Sequence, residues 1–385
     1  MAKRPHFGFK RISKFVKDVF KGDLHAKRQL SLANATLGVI NSGSLVIHKI
    51  GHGLAKGRGL KVKHAIKQVD RLLSNSGIDV CSSFEYWVGT VIGLRTSIVV
   101  ALDWTEFDAD GQSTIALHLV TNHGRATPLI WKTVKKSKLK NRRNDYEDAL
   151  LVQFKEILPP GVQVKVLADR GFGDHKLLEF LLNELGFSYV IRIRSNITVT
   201  AASGEQRPAS DWVGKNGRLR TLRDAMITGD LYPVSTVVCV HDKGMKEPWC
   251  IVASDQEDTG REIVKYYAKR WGIEPSFRDS KDLRFGMGLS KTHIRNTDRR
   301  DRLLLLNAFA IFLMTMLGAA GEALGLDKHL KANTVKYRTH SLFRQGCMLV
   351  ELIIAMSLEE LRALMRSFRD IKRQHVYLTD VYFLV

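Results

Sequence analysis

The segment YYAKRWGIEPSFRDSK, residues 266–281, is basic, yet it places one glutamate, Glu274, between Arg270 and Lys281. At 3.6 residues per turn, Tyr267, Arg270, Glu274 and Lys281 lie at offsets of 0, 3, 7 and 14 and share one helical face. On a solvated surface an Arg/Glu pair four residues apart contributes only about 0.2–0.5 kcal/mol. A solvated face is therefore the simplest reading, and the stripe gains meaning only from what the rest of the chain brings to it. Pro275 removes one helix hydrogen bond and clashes with the preceding turn, so the helix either kinks there or starts anew with proline in its first turn.

The chain has 385 residues, 44% of them hydrophobic, which is enough for two or three domains with buried cores. Its 60 Lys and Arg against 39 Asp and Glu leave a net charge of +21, which calls for a polyanionic partner without separating DNA from RNA or an anionic membrane. Cys81, Cys239, Cys250 and Cys347 are scattered, with neither a paired C-x-x-C nor a histidine at zinc-finger spacing, so a reducing compartment fits. The basic N-terminus has no apolar core of a secretion signal. LLLLNAFAIFLMTMLGAAG, 303–321, is long enough to span a bilayer. Asn307 interrupts it and arginines crowd one flank only, so it reads as a buried core helix, with no membrane partner and a cytoplasmic location.

Residues 1–90 read as a helical N-terminal DNA-binding region, with apolar residues at three and four spacing in ISKFVKDVFKG, LSLANATLGVINSG and HAIKQVDRLLSNSG and basic polar faces. GHGLAKGRG at 51–59 lacks the preceding strand and the G-K-[ST] of a phosphate loop. From 91 to 195 three strands (96–103, 114–121, 127–134) precede a helix, a strand (162–169), a second helix and a strand (188–195). That order is the one expected of an α/β, ribonuclease H-like mixed sheet. A β-rich insertion occupies 196–255, with two strands turning at Lys243-Gly244. The core resumes at 256–335 with the helix quoted above, and 336–385 forms a C-terminal helical region ending in one amphipathic stretch.

In such a sheet the first strand and the strand after the first helix lie side by side. Here they end in VALD and VLAD, which supply Asp103 and Asp169. A carboxylate after an apolar run is costly to bury without a cation. Two Asp and one Glu are the oxygen donors that Mg²⁺ prefers, with Mn²⁺ as a substitute, and two ions about 3.5–4 Å apart can clamp both oxygens of an in-line phosphoryl transfer.

The spacing Tyr267-x2-Arg270-x3-Glu274-x6-Lys281 resembles the Y-R-E-K signature of the IS4 group of bacterial insertion-sequence transposases, which includes the Tn5 and Tn10 enzymes. Asp103 in ALDWTEFD and Asp169 in LADRGFGD resemble the first two acids of that group's DDE triad, and the resemblance covers roughly residues 90–320. It implies that Asp103, Asp169 and Glu274 are the catalytic, metal-holding acids. It further implies that Tyr267, Arg270 and Lys281 grip phosphates, and that a homodimer cuts and rejoins double-stranded DNA at the terminal repeats of a mobile element through a hairpin. Trp249 corresponds to a tryptophan that stacks on a flipped base, with a core tryptophan as the plain alternative.

Arg192 and Arg194, two apart on a strand, share a face suited to phosphates. KKSKLKNRR, 135–143, is a basic loop, and Asp108, Asp110 and Asp174 are loop acids near the triad. Two other readings stay open: an inactive, transposase-derived DNA-binding protein, and a nuclease that cuts without rejoining.

Overall fold

The computed structural model describes residues 7–377, so residues 1–6 of the N-terminal region and 378–385 of the C-terminal one lie outside the described residues. Five helices come first: α1 (Phe9–Phe20), α2 (Ala26–Ser42), α3 (Ile47–Arg58), α4 (Val62–Ser74) and α5 (Val80–Ile92). The run 51–59 falls mostly inside α3, which bears out its rejection as a phosphate loop. Then follow β1 (Ser97–Phe107), β2 (Gln112–Leu119), β3 (Thr127–Lys135), α6 (Arg143–Ile157), β4 (Gln163–Ala168), α7 (His175–Glu179) and β5 (Ser188–Ile193). Five more strands are β6 (Thr198–Thr200), β7 (Gln206–Pro208), β8 (Arg220–Ile227), β9 (Tyr232–Val240) and β10 (Trp249–Ala253). The chain closes with α8 (Gly260–Lys269), α9 (Ile273–Lys281), α10 (Thr297–Ala323), α11 (Leu342–Leu352) and α12 (Leu358–Tyr377).

All ten strands form one mixed sheet in the order β3-β2-β1-β4-β5-β10-β9-β8-β6-β7, so the fold is α/β as expected. β3, β2 and β1 are antiparallel neighbours, β1, β4 and β5 are parallel, and β10 pairs antiparallel with both β5 and β9. Residues 196–255 therefore extend the same sheet; they do not fold as a separate one. The Asp242–Met245 turn joins β9 to β10 at the expected place.

Alternation along the strands divides the core in two. Val100 and Leu102 of β1 and Val166 and Ala168 of β4 face the larger cluster, shared with α1, α5, α6 and α10. Ala101, Leu167, Val190 and Ile251 face the other side, under Ile263 and Tyr267 of α8 and Ile273 of α9. α10 runs through the larger core with 89% of its most apolar window buried, as a core helix should. Asn307, which interrupts the apolar run, donates to Ser280 Oγ of α9 at 2.9 Å.

Two features of the helical regions were not expected. The amphipathic C-terminal stretch is two helices, because Ser357 and Glu360 exchange backbone and side-chain hydrogen bonds in a capping box that starts α12. The N-terminal helices are tied to the far part of the chain: Leu45 N–H, in the turn between α2 and α3, donates to Met287 O, beyond α9, at 2.8 Å.

Candidate active site

Asp103 lies two residues beyond Ala101, and Asp169 two beyond Leu167, so both carboxylates continue the sheet face that α8 and α9 cover. The register Leu102↔Ala168, the last rung of the β1/β4 ladder, sets them side by side, Asp169 just past the end of β4 and Asp103 within β1, which runs on to Phe107 and not to the expected end at 103. By the same alternation Arg192 follows Val190 and Trp249 precedes Ile251, bringing both to this face.

The third acid arrives on a broken helix. α8 ends at Lys269, a 3₁₀ turn spans Arg270–Gly272, and α9 begins at Ile273 with Pro275 in its first turn. Proline there forfeits a hydrogen bond the helix would lack anyway. Ser276 anchors the restart, accepting from Ala126 N–H at 2.9 Å and donating to Ala126 O at 2.7 Å, while Arg125 pairs with Asp279 at 2.6 Å.

Arg270 joins the acids. Its guanidinium donates to Glu274 Oε1 at 2.9 Å and approaches Asp103 Oδ2 at 3.5 Å, with only 6% of its side chain exposed. Asp103 Oδ1 accepts the Trp104 backbone N–H at 2.8 Å, and Asp169 Oδ1 accepts Gly171 N–H at 2.7 Å. Burial lifts the Asp103 carboxyl to about 6; Arg270 opposes that rise, while Asp169 and Glu274 are close enough to add to it. Two of the three acids, Asp103 and Glu274, thus share one guanidinium. Among the described residues no three His, Cys, Asp or Glu side chains are gathered tightly enough to chelate an ion as they stand, because Arg270 bridges two of the three. Their hard oxygen donors and uncompensated charge nevertheless fit a divalent cation.

The remaining stripe residues turn inward. Tyr267 is 1% exposed, packs edge-on against Trp249 at 4.9 Å between centroids, and has the Arg270 guanidinium 5.7 Å from its ring centre. Lys281 Nζ donates to Thr105 Oγ1 at 3.1 Å and Glu106 O at 2.5 Å, fastening α9 to β1. Arg192 bonds Pro248 O and Glu247, each at 3.0 Å, beside Trp249. Arg194 departs from expectation: β5 ends at Ile193, the chain turns through an Ile197 N–H to Arg194 O bond of 3.1 Å, and the exposed Arg194 borders a cavity with Arg170 and Glu147. The shared strand face holds for Arg192 alone.

The nearby loop acids have structural tasks. Asp108 pairs with Lys136 of the basic run at 2.5 Å, Asp110 with the buried Arg300 at 2.5 Å, and Asp174 caps α7 through Lys176 N–H at 3.2 Å. Two residues of the site were not foreseen. Glu147 of α6, 6% exposed, accepts the Trp104 indole N–H at 2.7 Å and lies within electrostatic reach of Asp169. A buried glutamate within an otherwise acidic helix start offered no spacing signal to find it by.

A family model described as the transposase DDE domain matches residues 95–313, from just before β1 into α10. No curated protein gives a significant match. Enzymes of that family cleave and transfer DNA and generally use divalent metal ions. The match spans more than half the chain and takes in all three converging acids, and the chain accordingly belongs to the transposase DDE-domain family.

Proposed function

We propose that the protein is a transposase of the IS4 group, related to the Tn5 and Tn10 enzymes, in which Asp103, Asp169 and Glu274 are the catalytic acids. The observation that carries this reading is the approach of Glu274 and Asp103 through Arg270, with Asp169 beside Asp103 across the β1/β4 register. The strand order β3-β2-β1-β4-β5, antiparallel then parallel, supports a ribonuclease H-like core over 91–195 and 256–335. β6 to β9 then represent an insertion within 196–255, flanked by helical regions at 1–90 and 336–385.

The three carboxylates would hold two Mg²⁺ ions, or Mn²⁺ in their place. When bound, the ions supply Lewis-acid stabilisation of the attacking and leaving oxygens. Arg270, which meets two of the acids, would grip the phosphates flanking the scissile one. Tyr267 packs beside Arg270 and keeps it in place, and Lys281 and Arg192 add positive potential along the same face. Arg194 contacts phosphate from the neighbouring cavity. Trp249, half-exposed beside Tyr267, offers a platform for an unstacked base of a hairpin intermediate. The DNA ends are terminal inverted repeats held by a homodimer in the cytoplasm, at the bacterial nucleoid.

The test is cleavage of a labelled duplex carrying the inverted repeat that flanks the coding region, with Mg²⁺, with EDTA, and with Glu274→Gln. Metal-dependent nicking at the repeat end that disappears in Glu274→Gln while DNA binding persists is the expected result. Binding without cleavage in Mg²⁺ and in Mn²⁺ would overturn the catalytic reading.

A further inference from the structure

α2 ends at Gly43, with φ 57°, and after the four residues Gly43 to Val46 the chain enters α3, whose axis turns 98° from that of α2. Two helices at about 90–120° joined by three or four residues form a helix-turn-helix, whose second helix enters the DNA major groove. The inner side of α3 is closed. A Cβ on Gly53 would overlap the Gly38 carbonyl of α2, one on Gly51 would overlap Ile66 of α4, and Ile50 and Leu54 are fully buried.

The outer side carries His48, Lys49, His52 and Lys56, all exposed. From Leu24 to Val69 the chain contains eight Lys and Arg and not one Asp or Glu. Solvated helix faces intersperse both signs, whereas an interval that excludes acids is the footprint of a polyanion. α4 is also basic, but it is fastened to α10 by Asp70 and Arg299 at 2.7 Å.

We propose that α3 is the recognition helix, lying in the major groove of the element-end duplex with His48, Lys49 and His52 at base edges and Lys56 at the phosphate backbone. This rests on the transposase reading above and adds which surface selects the DNA. The N-terminal half of a recognition helix reaches base edges, and that half of α3 holds His48, Lys49 and His52.

The test uses the full chain in EDTA, so that cleavage plays no part. Duplexes of about 30 base pairs, roughly three helical turns, are selected from a random pool, and affinities are measured for the winner and for a scrambled duplex of equal composition. Lys49→Ala and His52→Ala should each weaken binding to the selected duplex by about 10- to 100-fold and alter the selected sequence, with scrambled-duplex affinity nearly unchanged. Lys56→Ala should weaken both duplexes alike and flatten the salt dependence. Circular dichroism confirms that each variant is folded. Wild-type affinity and an unchanged selected sequence in folded Lys49→Ala and His52→Ala would overturn the assignment, as would transfer of those losses to Lys63→Ala and Lys67→Ala on α4. Failure to enrich any sequence with the wild type would overturn it too. None of these outcomes bears on Glu274-dependent nicking, so α3 can fail while the transposase reading stands.

Discussion

The Trp104 indole N–H donates to Glu147 Oε1 at 2.7 Å, and the backbone N–H of the same tryptophan holds Asp103 at 2.8 Å. One residue thus connects a buried glutamate on α6 to the first acid of the site. Trp104→Phe leaves Glu147 buried without its donor, a loss of about 1–3 kcal/mol. Glu147→Gln keeps the acceptor and should cost less. In a double-mutant cycle by urea unfolding, the two changes should couple by at least about 0.5 kcal/mol. Plain additivity would mean that Trp104 and Glu147 do not act as a unit.

Arg270 is the shared counter-ion of Asp103 and Glu274, and its removal exposes each acid to the other. Arg270→Ala should destabilise the metal-free protein by about 1–3 kcal/mol, below the figure for a fully buried pair because Glu274 is partly solvated. Adding Glu274→Gln should restore part of that loss. Equal stability of wild type and Arg270→Ala in EDTA would show that the guanidinium does not compensate the acids.

Arg300 is fully buried and pairs with Asp110, itself almost completely enclosed, and with Gln112 Oε1 at 2.5 Å. Arg300→Met strands the Asp110 carboxylate and should cost about 3–5 kcal/mol. Asp110→Asn in the same chain removes the stranded charge and should recover much of it. A double variant no more stable than Arg300→Met alone would locate the cost in packing against Phe107 and not in charge.

Asp301, on α10, accepts the Thr133 backbone N–H at 3.1 Å, and burial pushes its carboxyl up to about 7. In the unfolded chain it titrates near 3.9. Between those values the folded state keeps a proton that the unfolded state has lost. The contribution is complete below about 4 and is lost as pH rises towards 7, at no more than about 1.4 kcal/mol per pH unit. Asp301→Asn keeps the acceptor without titrating, so wild type should lose stability relative to it between pH 5 and pH 8. A difference independent of pH would mean that Asp301 is ionised throughout.

The acid positions were legible because strand alternation is strict. Asp103 and Asp169 each stand two residues past an apolar residue of the face under α8 and α9, just beyond the last rung of the β1/β4 ladder, and Glu274 follows Arg270 by four residues, a spacing that keeps the pair in contact across the 3₁₀ turn. What the sequence hid depends on distances it does not encode. The Trp104 to Glu147 bond joins residues 43 apart and depends on how α6 is rotated over the sheet. Arg194 was misplaced because one turn bond at Ile197 accompanies the end of the strand two residues early. The capping box at Ser357 and Glu360 was present in the sequence and could have split α11 from α12. The glycines of α3 looked like a failed phosphate loop, since their use is close packing against helices they meet only in the folded chain.

The bond between Leu45 N–H and Met287 O removes a freedom that modular proteins enjoy. The N-terminal helices and the segment after the Glu274-bearing helix share a backbone contact across 242 positions, so neither can be exchanged as a cassette. A chimaera joined at Gly93 would bring in a foreign turn against this chain's Met287, whereas one that also carries residues 282–288 would keep the joint. On the α3 assignment proposed above, new DNA preferences would arise by substitution on exposed helix faces, with the scaffold beneath them inherited whole.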